Sequence, residues 1–379
     1  MKNNVTLREP QSYPESRLPP GVQALRRPSP LGRAVELALL RWEKRRLEPT
    51  ARFWRAFGFH ILSETPERLL ARGAGPAPCI AIATRGAADR FAGPAFRVSE
   101  DSDLERYVKE LGARRLDAES IPGGGRGVEV FDPSGRSVWL LQGQRSVERL
   151  PVREALTASA NSADRSPRVN RTVRTPIEPA QVVRLGHLVL QTVNFARMAD
   201  WYLRVLGLIP TDVQYLADGS PNLAFCRLDL REQPADHHSL VLVGAIEEKY
   251  EHSAYEVVDL DALGQGQQLL RAKGYRHLWG MGRHVLGSQL FDYWSDPDGF
   301  AHEHYTDGDV FTADHETEYS PLTFGSLWAW GDDAPASMRP KKDLRTILRI
   351  LGLLRRKEIT LERLKLISQA LDAPARPWS

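Results

Sequence analysis

The chain has 379 residues, of which 42% are hydrophobic and 26% charged, with a formal net charge of +3. That length suffices for two ordinary domains, and so small and scattered a positive balance gives no footing for a nucleic-acid partner. Two cysteines, Cys79 and Cys226, in no metal-like spacing, exclude a disulfide framework and suit a reducing, cytoplasmic setting.

Residues 1–30, rich in Pro, Arg and Ser, read as a flexible arm without the apolar stretch of a secretory leader. No uncharged apolar run reaches the roughly 20 residues of a membrane span. Residues 31–143 form a first domain, although its opening stretch LGRAVELALLRWEKRR fits a helix as well as a strand. The polar, basic stretch 144–180 offers little for a core and reads as a linker.

A second domain, 181–315, follows. RLGHLVLQ alternates as a strand. In NFARMADWYLRVLGL, Phe195, Met198, Tyr202, Val205 and Leu206 recur at helical spacing, and Gly207 ends the helix. NLAFCRLDL and HHSLVLVGA are strands separated by Gln233-Pro234. HSAYEVV opens another unit, with a helix over 260–273 and a hairpin of LGSQLFDYWS and FAHEHYT around Asp-Pro-Asp-Gly. In the extension 316–379, Leu344, Ile347, Leu348, Leu351 and Leu354 form an amphipathic stripe, expected to pack on the body or on a second copy of the chain.

The two domains repeat one another. FWRAFGF parallels WYLRVLGL, GPAFRV parallels HSAYEV, and FDPSGRSVWLLQG parallels WSDPDGFAHEHYTDG. The pairs 58/207, 93/252, 112/274 and 135/299 differ by 149, 159, 162 and 164 positions. Each copy reads as two βαβββ units, which makes the fold class α+β with tandem paired modules and a helical C-terminal tail.

The segment AHEHYT holds three potential metal ligands in a row, yet strand alternation puts Glu303 on one face and His302 and His304 on the other. If Glu303 is a ligand, a mononuclear centre with open positions asks for two histidines on neighbouring strands. His187 and His252 stand at equivalent places, each near the start of the first strand of its unit. Their first-copy counterparts, together with that of Glu303, are about Ala38, Gly93 and Trp139, so all three ligand types vanish together from the first copy. His238, His284, Arg283 and Tyr293 accompany the group. His237 and His238 should point to opposite sides of their strand. His277 and His315 sit in expected loops and read as solvent-facing.

These residues resemble a known family. LGHLVL, DHHSLVL, HSAYEV, GRHVLGSQLFDYWSDPDG and HEHYTDGD look like the catalytic half of the type I extradiol ring-cleaving dioxygenases, of the vicinal oxygen chelate superfamily. The likeness covers roughly residues 35–310 and is strongest over 184–309. It implies two barrel-like domains, the first without metal, and iron(II) held by His187, His252 and Glu303; manganese(II) fits the same ligand set. It further implies His238 as the acid–base group, His284 and Tyr293 as groups that hydrogen-bond the substrate, and a catechol and O2 as reactants. The product would be a ring-opened semialdehyde. A different metal enzyme of the fold, such as an isomerase or lyase, would usually draw on two glutamates, and a non-catalytic aromatic-binding protein would have lost its ligands. The arm, linker and tail go beyond the family core; the tail is suited to an interface in a homo-oligomer.

Overall fold

In the computed structural model, residues 17–175, 177–335, 338–340 and 343–373 are described. Residues 1–16 of the expected arm and 374–379 of the tail lie outside them.

The first copy runs β1 (Ala34–Lys44), α1 (Leu47–Phe57), β2 (His60–Glu64), β3 (Arg68–Arg72) and β4 (Ala81–Arg85). Its second unit is β5 (Arg90–Val98), α2 (Leu104–Leu111), β6 (Arg114–Arg115), β7 (Arg126–Phe131) and β8 (Ser137–Gln142). The second copy repeats the pattern with β9 (Val182–Thr192), α3 (Phe195–Leu206), β10 (Ile209–Tyr215), β11 (Pro221–Arg227), the short β12 (Ala235–Asp236) and β13 (Leu240–Gly244). It closes with β14 (Lys249–Val257), α4 (Leu260–Ala272), β15 (Arg276–His284), β16 (Leu290–Ser295) and β17 (Ala301–Thr306).

The first sheet has the order β2-β3-β4-β1-β5-β8-β7-β6, and the second contains β10-β11-β13-β9-β14-β17-β16-β15, the same order strand for strand. The short β18 (Val310–Phe311) pairs with β12, while β19 (Glu318–Pro321) and β20 (Trp328–Gly331) extend the second sheet at its two edges. The ambiguous opening stretch is the strand β1, because it pairs parallel to β4 and antiparallel to β5 and so has a partner on both sides. Its burial pattern matches that of β9 residue for residue.

One apolar core runs through both copies and includes Trp42, Phe53, Trp54 and Phe57 from the first, Tyr202, Leu206, Tyr255 and Trp294 from the second. Residues 17–33 lie against this body in an extended path: Gln23 N–H donates to Gly219 O, Leu31 N–H to Arg204 O, and Leu25 and Leu31 are buried. The connecting stretch is held at intervals, by Val147 N–H to Pro76 O, Leu150 N–H to Ala74 O, and a two-pronged Arg153–Asp259 ion pair.

The tail forms two helices, α5 (Leu344–Arg355) and α6 (Leu361–Asp372). The face of α5 that packs is Ile350, Leu353 and Leu354, against Ile246 and Val193. Of the stripe expected from sequence, only Leu354 shares that face, and Leu344, Ile347, Leu348 and Leu351 are exposed. Arg363 of α6 anchors the hairpin to Asn222 Oδ1 at 2.6 Å and Pro221 O at 3.1 Å.

Candidate metal centre and active site

Three adjacent strands bring the His–His–Glu group together. His187 on β9 pairs in register with Ala254 of β14, which pairs on its other side with Glu303 of β17. His252 lies two residues before Ala254 and so on the same face. One ligand atom from each of His187, His252 and Glu303 lies within 4.8 Å of the other two. Glu303 Oε2 is 3.2 Å from His187 Nε2 and 3.3 Å from His252 Nε2, and Oε1 is 3.6 Å from His284 Nε2.

Glu303 is fully buried, and neither carboxylate oxygen makes a hydrogen bond of acceptable geometry. A buried carboxylate without hydrogen bonds is costly unless a cation completes it. Burial opposes its ionisation, but the imidazoles of His187, His252 and His284 outweigh that and hold the carboxyl well below the usual range. The donor set of two imidazoles and one carboxylate suits a divalent metal with open positions. The residues therefore fit the metal that the sequence motif implies.

The orientation of each imidazole follows from its other nitrogen. His252 Nδ1 lies 3.1 Å from Glu251 Oε2, so Nδ1–H donates there and Nε2 faces Glu303. A carboxylate behind a ligand histidine raises its basicity and fixes its ring. Burial lowers the pKa of His252, yet Glu251 and Glu303 together raise it to about 9. Glu251 and His252 act side by side because a bulge between Tyr250 and His252 breaks strand alternation. His187 is held low by burial, and its Nδ1 has no partner.

His238, His284 and Tyr293 line the same cavity as His187 and His252. His284 Nδ1 is 2.7 Å from Leu327 O and can only donate there, so Nε2 accepts from the Tyr293 hydroxyl at 3.0 Å. His238 is buried, with its ring 4.2 Å from that of His187, and burial pushes its pKa well down. Its Nδ1 faces His237 Nδ1 at 2.8 Å, and His237 Nε2 lies 2.6 Å from Asp212 Oδ2. Asp212 accepts from His237 Nε2, which leaves His237 Nδ1 as an acceptor and makes His238 Nδ1 the donor. His238 Nε2 is then the nitrogen with the free lone pair. His237, outside the cavity lining as its alternation implied, supports the group from behind.

Sequence reasoning missed Asp212, Glu251 and the part played by His237, as well as Gln289, a buried cavity-lining residue whose Oε1 has no partner. Arg283 turns away, to Ser288 O and Asp307. Two expectations are corrected. His277 is not solvent-facing: it lies on β15, and its Nε2 reaches buried Asp292 at 2.7 Å. His315 is half-buried and stacks on Phe311 with ring centroids 3.9 Å apart.

The first copy shows what replaces the centre. By strand register the counterpart of His187 is Leu39, opposite Ala95, rather than Ala38, while Gly93 and Trp139 stand as expected. A Cβ at Gly93 would sit 1.8 Å from Ser137 O, so no ligand side chain fits there. Arg41 stacks 4.0 Å over the Trp139 ring, and Leu39, Ile82, Ala95 and Leu141 fill the remaining space.

The Glyoxalase/Bleomycin resistance protein/Dioxygenase superfamily profile matches residues 184–303. Metapyrocatechase 2 of Cupriavidus necator is 31% identical over 291 residues, covering 75% of this chain and 85% of the relative. The fold is shared with an extradiol ring-cleaving dioxygenase from B. fuscum, at TM-score 0.67 and 22% identity over 85% of this chain and 87% of that one. It is shared equally with a Mn(II)-bound glyoxalase from Novosphingobium aromaticivorans, at TM-score 0.66 and 20% identity over 82% and 96%. The chain belongs to the extradiol ring-cleaving dioxygenases of this superfamily, oxidoreductases that incorporate both atoms of O2 and work with a catalytic metal.

Proposed function

We propose that the chain binds iron(II) through His187, His252 and Glu303 and uses it to cleave a catechol beside its diol, giving a ring-opened semialdehyde-type product. The observation that supports this most is the buried Glu303 carboxylate, with both oxygens unbonded, facing two imidazoles at the end of a cavity. Iron(II) bound there would lower the pKa of the catechol hydroxyl and bring both reactants to one centre.

The protein's own groups then divide the proton work. His238, presenting Nε2 with a free lone pair, takes the proton of the substrate hydroxyl and returns it later as a general acid. Burial keeps this imidazole neutral at working pH, which suits the first role. Tyr293, its hydroxyl donating to His284, is poised to turn that hydrogen bond toward negative charge developing on the substrate oxygen. The apolar walls exclude water and strengthen both effects.

The two-glutamate donor set of other metal enzymes of this fold is not favoured, because Glu251 is engaged by His252 Nδ1. Among the described residues both cysteines are buried free thiols, in keeping with the reducing cytoplasm that the composition suggests, and no helix is long and apolar enough to cross a membrane. The test is anaerobic loading with Fe(II), followed by oxygen uptake with small and bulky catechols. Uptake with a yellow ring-cleavage product is expected. Its absence across the panel, or metal binding that survives the double substitution His252→Ala, Glu303→Ala, would overturn the reading.

A further inference from the structure

The cavity is larger than a catechol needs. Its volume is about 480 Å³, within the range of pockets that enclose drug-sized ligands, whereas catechol is a single ring with two oxygens. The surplus has a direction. Strand β9 rises about 3.3 Å per residue, so Val189 lies roughly 7 Å and Gln191 roughly 13 Å along the strand from His187.

The neighbouring strands form layers at those heights. Val189 pairs with Val241, and Val241 with Phe225; Gln191 pairs with Val243, and Val243 with Leu223. All six line the cavity, and five are apolar. Beyond them the corridor meets the C-terminal helices, where Thr346 of α5 and Ile367 of α6 join the lining. Two polar side chains along it bond within the protein: Gln214 Nε2 donates to Ser326 Oγ at 3.0 Å, and Asn222 Nδ2 donates to Gly244 O at 3.0 Å. Of the four basic side chains in the lining, Arg349 pairs with Glu247 at 2.7 Å and Arg339 lies over the Phe324 ring, while Lys249 and Arg345 are exposed at the mouth. Between the His–His–Glu end and that mouth, the strand layers discriminate by apolar area.

We infer that the substrate is a catechol carrying a large apolar substituent, alkyl or aryl, which runs from the His–His–Glu end along the Val189–Val241 and Leu223–Val243 layers toward the α5–α6 hairpin. This rests on the ring-cleavage reading above and specifies its substrate class. The C-terminal extension thereby becomes part of the binding site. Each methylene that enters the corridor should raise kcat/KM by about fourfold until the corridor is full.

The test takes the Fe(II)-loaded full chain through catechols bearing hydrogen, methyl, propyl, hexyl and phenyl groups. In parallel, the metal-free full chain is titrated calorimetrically with the matching alkylphenols. Rising kcat/KM and rising affinity with substituent size are expected, and Val243→Trp should lower the hexyl-to-methyl ratio of kcat/KM by roughly tenfold or more. If Val243→Trp does not fold, the wild-type length series decides alone. Flat or falling values in both measurements overturn the inference. Alkylphenol affinity that rises with length while no catechol is cleaved supports the corridor and sinks the ring-cleavage reading instead.

Discussion

Lys44, at the end of β1 in the first copy, places its ammonium 2.6 Å from Asp296 and 2.8 Å from Asp298 in the β16–β17 turn of the second. Lys44 and Asp296 are both buried, so the pair ties the copies together inside the core. The equivalent turn of the first copy reaches the other way, where Asp132 accepts from the Tyr202 hydroxyl at 3.1 Å. The Asp-Pro-x-Gly turns are thus clamps between the copies as well as hairpin ends.

Replacing Lys44 by Met should cost about 3–5 kcal/mol, because it strands a buried carboxylate. Burial raises the Asp296 pKa, but His302 and Lys44 outweigh it and hold the carboxyl down to about 2. A carboxylate depressed on folding stabilises fully above its ordinary value of about 3.9 and loses that contribution as pH falls toward about 2. Urea unfolding of wild type and Asp296→Asn at several pH values checks this. The stability difference should shrink through that window, and a difference constant from neutral pH down to about 2 would sink the assignment.

Glu251 should act on the metal only through His252. Glu251→Gln removes the charge behind the Nδ1–H and should weaken metal binding by about 10–100-fold, with much less effect on global stability. Competition with a chelator, read as bound metal per chain, measures it. An unchanged affinity would reduce Glu251 to a bystander. Metal analysis should also give one ion per chain, since Gly93 and Trp139 leave the first copy no room for a second.

The framework was legible in the sequence because the repeat compares the chain with itself. Gly58 and Gly207, or Gly135 and Gly299, mark the same turns in both copies, all with positive φ, and the strand alternation around His187, His252 and Glu303 is regular enough to put them on one face. What was hidden depended on events that alternation does not encode. Glu251 joined the site through a bulge, Asp212 by strand pairing across β10 and β11, and Lys44–Asp296 by packing of one copy on the other. The stripe on α5 misled because the most apolar face there is the exposed one.

Asp212 should set which nitrogen of His238 carries its proton. Asp212→Asn lets the amide nitrogen donate to His237 Nε2, which reverses the hydrogen bond to His238 and places its proton on Nε2. The variant should lower kcat by roughly tenfold or more with KM nearly unchanged, a milder form of the roughly 10²–10⁴-fold loss expected for His238→Gln. Steady-state rates of both variants across pH are the measurement. A loss in KM alone, or equal thermal destabilisation with no change in kcat, would assign Asp212 a purely structural part.

His302 and His304 flank Glu303, and the opposite face of β17 turns both into the core between the copies. His304 stacks on Phe57 with ring centroids 3.7 Å apart and donates from Nε2 to the Phe57 carbonyl at 2.7 Å. His302 sits among Trp42, Phe53, Phe57 and Tyr255. His304→Ala should therefore cost about 2–4 kcal/mol of stability, from the lost packing and the stranded carbonyl, and leave metal content at one ion per chain. Burial pushes the His304 imidazole down to about 4, so its packing stabilises fully above the ordinary value near 6.5 and that share is lost as pH falls toward about 4. Glu303→Gln should do the reverse, leaving the fold intact and emptying the metal site. Thermal unfolding and metal analysis of the two variants separate these outcomes, and metal loss in His304→Ala at temperatures where the fold persists would contradict the division of the two faces.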